Sequence, residues 1–446
     1  MTKDLTKGSP AKLILTFTIL LLIGNIFQQL YSMVDTLIVG RTLGVNSLAA
    51  VGSTGSITFF ILGFVQGLTA GLAIVVAHRF GAKDTKGLRK SVGTCIWISA
   101  VSTIVLTILS VVFVRQILEL LRTPSEILEE AHSYIIIILY GTFANVLFNL
   151  LSNIIRALGD SKTPLKYLMV ACVVNIVLDF VFIIIMKMGV AGAAWATIIS
   201  QFISGALCVL YVKRNLPIMH LDKDDLRPNK LEMARHAKIA FPMGFQISII
   251  AIGAVILQFV LNGLGAVSVA AFTAAQKIDQ IAVQPMNSFG TTMATYSAQN
   301  YGAGKIDRIK QGVRQCSLIS VGFAIVMGLI NVFLGYKLAG LFVGSGETEV
   351  LGLADIYLKI NGVLYSVLAL LFIFRFTIQG LGRSVMPTIA GIMELVMRTG
   401  AALILTGILG FAGAAMASPL AWIGACVVVF IDYMLVMKKL SIPKVE

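Results

Sequence analysis

Twelve apolar windows, most of them long enough to cross a bilayer, set the terms for everything else in this chain. They run near 11–39, 47–77, 91–114, 131–157, 165–186 and 190–212, and then near 238–262, 267–299, 313–334, 352–380, 386–409 and 413–437. Hydrocarbon offers the backbone no water, so each run must satisfy its own peptide groups as a helix. The fold class expected is an all-α polytopic membrane protein with twelve transmembrane helices. Composition agrees: 13% of residues are charged, where soluble chains have about 25%. The first run is too long for a signal-peptide core and lacks a small-residue cleavage site, so it is expected to remain as the first spanning helix.

The net charge of +14 suggests a nucleic-acid partner until the cations are placed. They fall in alternate loops. Arg79, Lys83, Lys86, Arg89 and Lys90 follow the second span, and Lys162 and Lys166 follow the fourth. Lys213, Arg214, Lys223, Arg227, Lys230 and Arg235 follow the sixth; Lys305, Arg308, Lys310 and Arg314 follow the eighth; Lys438, Lys439 and Lys444 end the chain. The positive-inside rule puts both termini in the cytoplasm, with the bacterial inner (plasma) membrane as the expected location and no nucleic acid as partner. The five cysteines sit in apolar runs without CxxC or metal-like spacing and read as packing residues.

The polar linker 214–236 is the one clear boundary; its DKDD run reads as a solvated charged loop. The chain then repeats. LGVNSLAAV (43–51) matches LGAVSVAAF (264–272), AHRFGAKD (77–84) matches AQNYGAGK (298–305), and GVAGAAWA (189–196) matches GFAGAAMA (410–417), all at an offset of 221. IRALGDSKTP and IQGLGRSVMP align at 223. The halves 1–213 and 237–446 are therefore expected to be pseudo-symmetric six-helix lobes. An even number of spans per half makes the repeat parallel, the plan of transporters that bind substrate between halves and rock about it. Features shared by both halves are scaffold. Asp35 aligns with Ile256, Asp179 with Ala402 and Asn175 with Arg398, so the buried carboxylates of the first half have no counterpart.

Asn25, Gln28, Ser32 and Asp35 recur at steps of three and four within GNIFQQLYSMVDTLIVG and form one polar stripe on a helix. A charge at such depth costs at least ~2.5–3.5 kcal/mol. VNIVLDF places Asn175 and Asp179 on one helix face. Counting rise along the first, fifth and sixth spans brings Asp35, Asn175, Asp179 and Thr197 to a similar depth. Two carboxylates, an amide and a hydroxyl make an oxygen-rich set suited to H⁺ or Na⁺. The competing reading pairs the acids with Arg or Lys. Asn145, Asn149 and Asn153 step by four in the fourth span, as interhelical hydrogen-bond glue or ligand contacts.

In the second half, Gln276, Lys277, Asp279, Gln280 and Gln284 crowd before Pro285, with Arg375 in the tenth span and Glu394 and Arg398 at i, i+4 in the eleventh. They read either as local Lys–Asp and Glu–Arg neutralisation or as the polar lining of a substrate cavity that also takes Gln28, Asn149 and Asn153. No Walker A, DDxxD, HExxH or GxSxG motif occurs, so an enzyme and a cofactor are not expected.

QQLYSMVDTLIVGRTLG, RALGDSKTP, NIVLD, AAQKIDQIAVQPMNSFG and QNYGAGK, in this order within a doubled six-helix plan, resemble the multidrug and toxic compound extrusion (MATE) family along essentially the whole chain. The resemblance implies a secondary antiporter that expels amphipathic, often cationic, compounds in exchange for H⁺ or Na⁺. It also implies a first-lobe cation site at Asp35, Asn175, Asp179 and Thr197. Some members use acids in the seventh and tenth helices; here Ile239–Asn262 has none and the tenth has only Asp355, as in the DNA-damage-inducible branch. The first helix lacks the mid-span proline of some members, and Phe180 follows Asp179 where many have Pro. The expected protein is a monomeric exporter whose partners are small amphipathic organic substrates and the bilayer. The alternative is a flippase for lipid-linked oligosaccharide or peptidoglycan precursors, which would use Arg375, Lys277 and Arg398.

Overall fold

A computed structural model describes residues 4–121, 123–343 and 347–441; Lys444 lies outside them. The described residues form fourteen α-helices, with one π-helical and one 3₁₀ segment and no strand. α1 is Pro10–Leu43, α2 Val45–Ser53, α3 Gly55–Gly81, α4 Thr85–Leu120, α5 Ser125–Tyr140, α6 Thr142–Ala157, α7 Lys162–Asp179 and α8 Val190–Asn215. α9 is Lys230–Gly263, α10 Ala266–Gly302, α11 Ile306–Val343, α12 Thr348–Gly380, α13 Val385–Leu409 and α14 Phe411–Ser441.

These make twelve traverses. The second is split into α2 and α3, and the fourth into α5 and α6, bent by 46°. Ten helices are apolar and long enough to cross a membrane, or eleven with the bent pair counted as one. The remaining traverse is α10, whose glutamines and threonines dilute its hydropathy. Large apolar side chains face outward along whole helices, as Ile104, Val105, Ile108 and Val112 do on α4 and Ile325, Leu329 and Phe333 on α11. A surface of that kind belongs in lipid. The chain is a multi-pass membrane protein.

The repeat is visible in the backbone. Left-handed glycines end the helices at Gly44 (φ 93°) and Gly265 (94°), and at Gly189 (64°) and Gly410 (57°), each pair 221 residues apart in sequence. Such a φ costs most residues strain and costs glycine none. Two described non-glycine residues share such a φ, Lys83 (58°) and Lys187 (53°), and Lys83 stands where the second half has Gly304 (70°).

The helices group into two compact units. One comprises Leu20–Ser248; the other comprises Leu5–Ile19 and the chain from Ile249 onward. The division therefore departs from the boundaries 213 and 237 read from the linker. The linker and the first part of α9 pack with the first unit, and the first part of α1 packs with the second.

Close packing explains where α9 joins the first unit. Gly63, Gly67 and Gly71 form a bare stripe on α3 facing Ile247, Met243 and Ala240 of α9. A Cβ on Gly67 would lie 2.3 Å from the Met243 carbonyl oxygen, and one on Gly71 2.6 Å from the Ala240 Cα. Small residues at this spacing let two backbones touch. Ser248 Oγ donates to the Phe60 carbonyl at 3.0 Å, and Arg79 reaches both Asp84 (2.7 Å) and Glu232 (2.8 Å). In the second unit the start of α1 is held by polar contacts instead. Thr18 Oγ1 donates to Thr292 Oγ1 at 2.8 Å, the Leu5 N–H to Gln299 Oε1 at 2.9 Å, and the Ala11 N–H to Gln315 Oε1 at 2.9 Å.

Candidate functional site

Three helices of the first unit deliver the polar set. α1 carries Asp35, which is 9% exposed; α7 carries Asn175 and Asp179, both fully buried; α8 carries Thr197, half-buried. The carboxyls of Asp35 and Asp179 come within hydrogen-bonding reach of each other. Turned by half a rotation about its terminal torsion, the Asn175 amide satisfies both neighbours: Nδ2 then donates to Asp179 Oδ2 at 3.0 Å and Oδ1 accepts from the Thr197 N–H at 3.3 Å. Tyr31 donates its hydroxyl to Thr197 Oγ1 at 3.3 Å. Oδ1 of each aspartate is buried without a hydrogen-bond partner among the described residues. No ion pair reaches either carboxylate among the described residues. Arg156, a half-buried cation of this unit, bonds Asn153 at 3.5 Å instead.

The surroundings are apolar. Ile38, Val39, Ile183 and Ala193 form a buried cluster, with Val34 and Tyr134 against it. Asp179 is the last α-helical residue of α7, and Phe180–Ile185 continue as a π-helix, so the Met186 N–H bonds the Val181 carbonyl at 2.8 Å. Wide turns of this kind mark functional positions.

Two tyrosines of the site were not read from the sequence. Tyr31 lies four residues before Asp35, so helical spacing was a usable signal. Tyr134, which interacts electrostatically with both aspartates, follows an acidic stretch on α5 and carried no comparable sign.

Other residues expected in a cavity have different surroundings. Gln28, Gln276, Lys277 and Gln280 are exposed, and Gln284 is half-buried. Asn149 Nδ2 donates to Asn145 Oδ1 at 3.0 Å, Asn145 Nδ2 to Gln201 Oε1 at 3.3 Å, and Asn153 Nδ2 to Thr69 Oγ1 at 3.2 Å. The last two bonds join α6 to α8 and to α3. In the second unit the Lys277–Asp279 neutralisation is replaced. Residues two apart do not face each other on a helix, and Asp279 instead accepts from the Tyr365 hydroxyl at 2.6 Å, which itself accepts from Asn331 Nδ2 at 2.8 Å. Glu394 accepts from Arg398 at 2.7 Å and from Arg375 at 2.8 Å, all three buried. Asp355 pairs with Lys359.

Comparison with known proteins places this architecture. The probable multidrug resistance protein YpnP of Bacillus subtilis is 28% identical over 387 residues, 85% of this chain and 84% of its own length. The probable multidrug resistance protein YoeA of the same organism is 27% identical over 404 residues, 89% and 86%. A solved structure of a multidrug resistance MATE family transporter in an outward-facing conformation superposes with a TM-score of 0.91 at 24% identity, covering 99% of this chain and 98% of that one. A sequence profile described as MatE matches residues 21–181 and 242–404. The chain belongs to the MatE family, the multidrug and toxic compound extrusion transporters.

Proposed function

We propose that this transporter expels small amphipathic, often cationic, organic compounds in exchange for H⁺ or Na⁺, with Asp35, Asn175, Asp179 and Thr197 as the coupling site. The observation that carries the reading is the contact between Asp35 and Asp179, with no basic residue paired to either among the described residues. Two bare carboxylates in an apolar cluster repel each other in a weakly screening medium. One H⁺ or Na⁺ shared between them relieves that repulsion. Asn175 and Thr197, with Tyr31 behind them, hold the acceptor oxygens in place.

An ion drives a transporter only if it binds its two conformations with different affinity. The π segment after Asp179 gives the acid a position that a rearrangement of α7 would shift, and rocking of the two halves would alternate access to it. The protein works as a monomer in the bacterial inner membrane, with both termini cytoplasmic as the loop charges require. The flippase alternative is not favoured: the two relatives named above are probable multidrug resistance proteins, and of its three cations two are committed to Glu394.

The test is efflux of ethidium from vesicles containing the purified protein, driven separately by a pH gradient and by a Na⁺ gradient. At least one gradient is expected to drive efflux, and the one that does names the ion. Efflux independent of both would remove the antiport reading.

A further inference from the structure

On the lipid-facing surface of the first unit, α4 and α8 each pack on α6 and leave a groove of about 650 Å³. That volume falls in the range of ligand pockets, about 300–1,000 Å³. Ile96 and Ile104 of α4 and Val209 of α8 are exposed along it. Leu147 and Leu151 line it from α6, which is held close to α8: a Cβ on Gly205 would lie 2.9 Å from Leu147 Cγ. Along α4 the groove runs from Val92 to Ile104, about 18 Å at 1.5 Å of rise per residue. One leaflet of hydrocarbon is about 15 Å deep, half of a bilayer core. The groove thus has the length of a single acyl chain. The two hydroxyls within this stretch ask for no polar solute: Thr103 Oγ1 donates to the Ser99 carbonyl at 2.6 Å, and Ser99 is buried.

One end is basic. Lys213, in the last turn of α8, and His220, on the linker, line it there. His220 Nε2 bonds the Lys213 carbonyl at 2.9 Å, tying the linker to α8. The Lys213 side chain is exposed and has no ion pair among the described residues. Arg89, just before Val92 on α4, is engaged instead by the Ile218 carbonyl at 3.4 Å and by Asp222 at 3.7 Å. Nearby, Trp97 Nε1 donates to the Leu226 carbonyl at 2.7 Å. An indole with its apolar body on a spanning helix and its N–H on a polar linker marks the level where hydrocarbon gives way to headgroups. The repeat supplies a control. At the offset of 221, Lys213 aligns with Met434 and His220 with Ser441, so this basic pair has no counterpart in the second unit.

We propose that the groove binds one anionic phospholipid, with an acyl chain along α4, α6 and α8 and the phosphate at Lys213 and His220. Basic pockets between spanning helices recognise acidic headgroups, and here the apolar part has the depth that the attached chain requires. An exported organic cation would fit the apolar part and meet a positive charge at its mouth. The bound lipid fastens the linker to the spanning helices of the first unit. The orientation proposed above puts it in the cytoplasmic leaflet, the one with the negative surface potential.

The experiment titrates the purified full-length protein in detergent with phosphatidylglycerol or with phosphatidylcholine of identical chains, and reads bound lipid by native mass spectrometry. The native protein is expected to hold one phosphatidylglycerol at least about fivefold tighter than phosphatidylcholine. Lys213→Gln is expected to lose about fivefold for phosphatidylglycerol while phosphatidylcholine stays within about twofold, so the neutral lipid reports folding. Ala100, exposed in the groove, is the position for filling it: Ala100→Trp is expected to weaken both lipids about tenfold. Val209→Trp fills the same groove from α8 and decides if Ala100→Trp does not fold.

Unchanged selectivity in Lys213→Gln, or native affinity in the folded groove-filling variant, would overturn the site. Displacement of phosphatidylglycerol by ethidium or by inorganic phosphate would make a transported cation or a free anion the occupant and overturn the lipid assignment. Neither is expected to compete. Detergent has no leaflets and no gradient, so failure of the lipid site is distinct from failure of the antiport reading or of the orientation.

Discussion

Asp35→Asn and Asp179→Asn are each expected to abolish drug resistance in a host lacking its own pumps, with the protein still present in the membrane at normal abundance. Asn keeps the size of Asp and removes the charge that a cation would neutralise. It also removes the repulsion between the two carboxyls, so folding is not expected to suffer. What is lost is the difference between loaded and empty states. Coupling between two ligands is typically worth 1–3 kcal/mol, so gradient-driven efflux is expected to fall on the order of 10- to 100-fold. Resistance and membrane abundance measured together check this. Full resistance in both variants would remove the assigned role, because it would show that the pair can be discharged without consequence.

Gly67→Val carries the largest structural effect. Its Cβ would meet the Met243 carbonyl oxygen at 2.3 Å, the Met243 carbonyl carbon at 2.7 Å and the Gly244 Cα at 2.8 Å. All three are backbone atoms and cannot swing aside as a side chain would. α3 and α9 must separate, at a cost of about 3 kcal/mol, near the upper end for overpacked cores. Gly52→Ala on α2 is the control. Nothing lies within 4 Å of its Cβ, and alanine favours the helix. Monodispersity after graded heating is expected to drop early for Gly67→Val and to stay at or above that of the native protein for Gly52→Ala. Equal heat resistance for Gly67→Val would mean that the two helices do not meet at this seam.

Polar residues were legible wherever they interrupted apolar runs. Asp35, Asn175, Asp179 and Thr197 stood out because each is expensive among Ile, Leu and Val, and counting helical rise was enough to bring them to one level. The repeat was legible for a different reason. Its turns need left-handed glycines, and those survive as GxxG-rich matches at a fixed offset. Tyr31 was missed because the stripe was read from Asn25, Gln28, Ser32 and Asp35, although Tyr31 lies one helical turn before Asp35.

The exchange of helix starts between the compact units left no mark in composition. α1 and α9 are continuous apolar helices across the points where the units divide, between Ile19 and Leu20 and between Ser248 and Ile249. The Arg375–Glu394 contact joins α12 to α13, nineteen residues apart, beyond the reach of helical spacing. By contrast, the mispairing of Lys277 with Asp279 was avoidable from elementary geometry, since a step of two turns the side chains away from each other.

The most direct measurement is ethidium affinity of the purified protein as pH is lowered and as KCl is exchanged for NaCl, in the native protein and in the Asp35→Asn/Asp179→Asn double variant. The native protein is expected to lose affinity as H⁺ or Na⁺ rises, and the double variant to respond to neither. The same dependence in both proteins would contradict the assignment, because the competing ion would then be bound somewhere other than between these two acids.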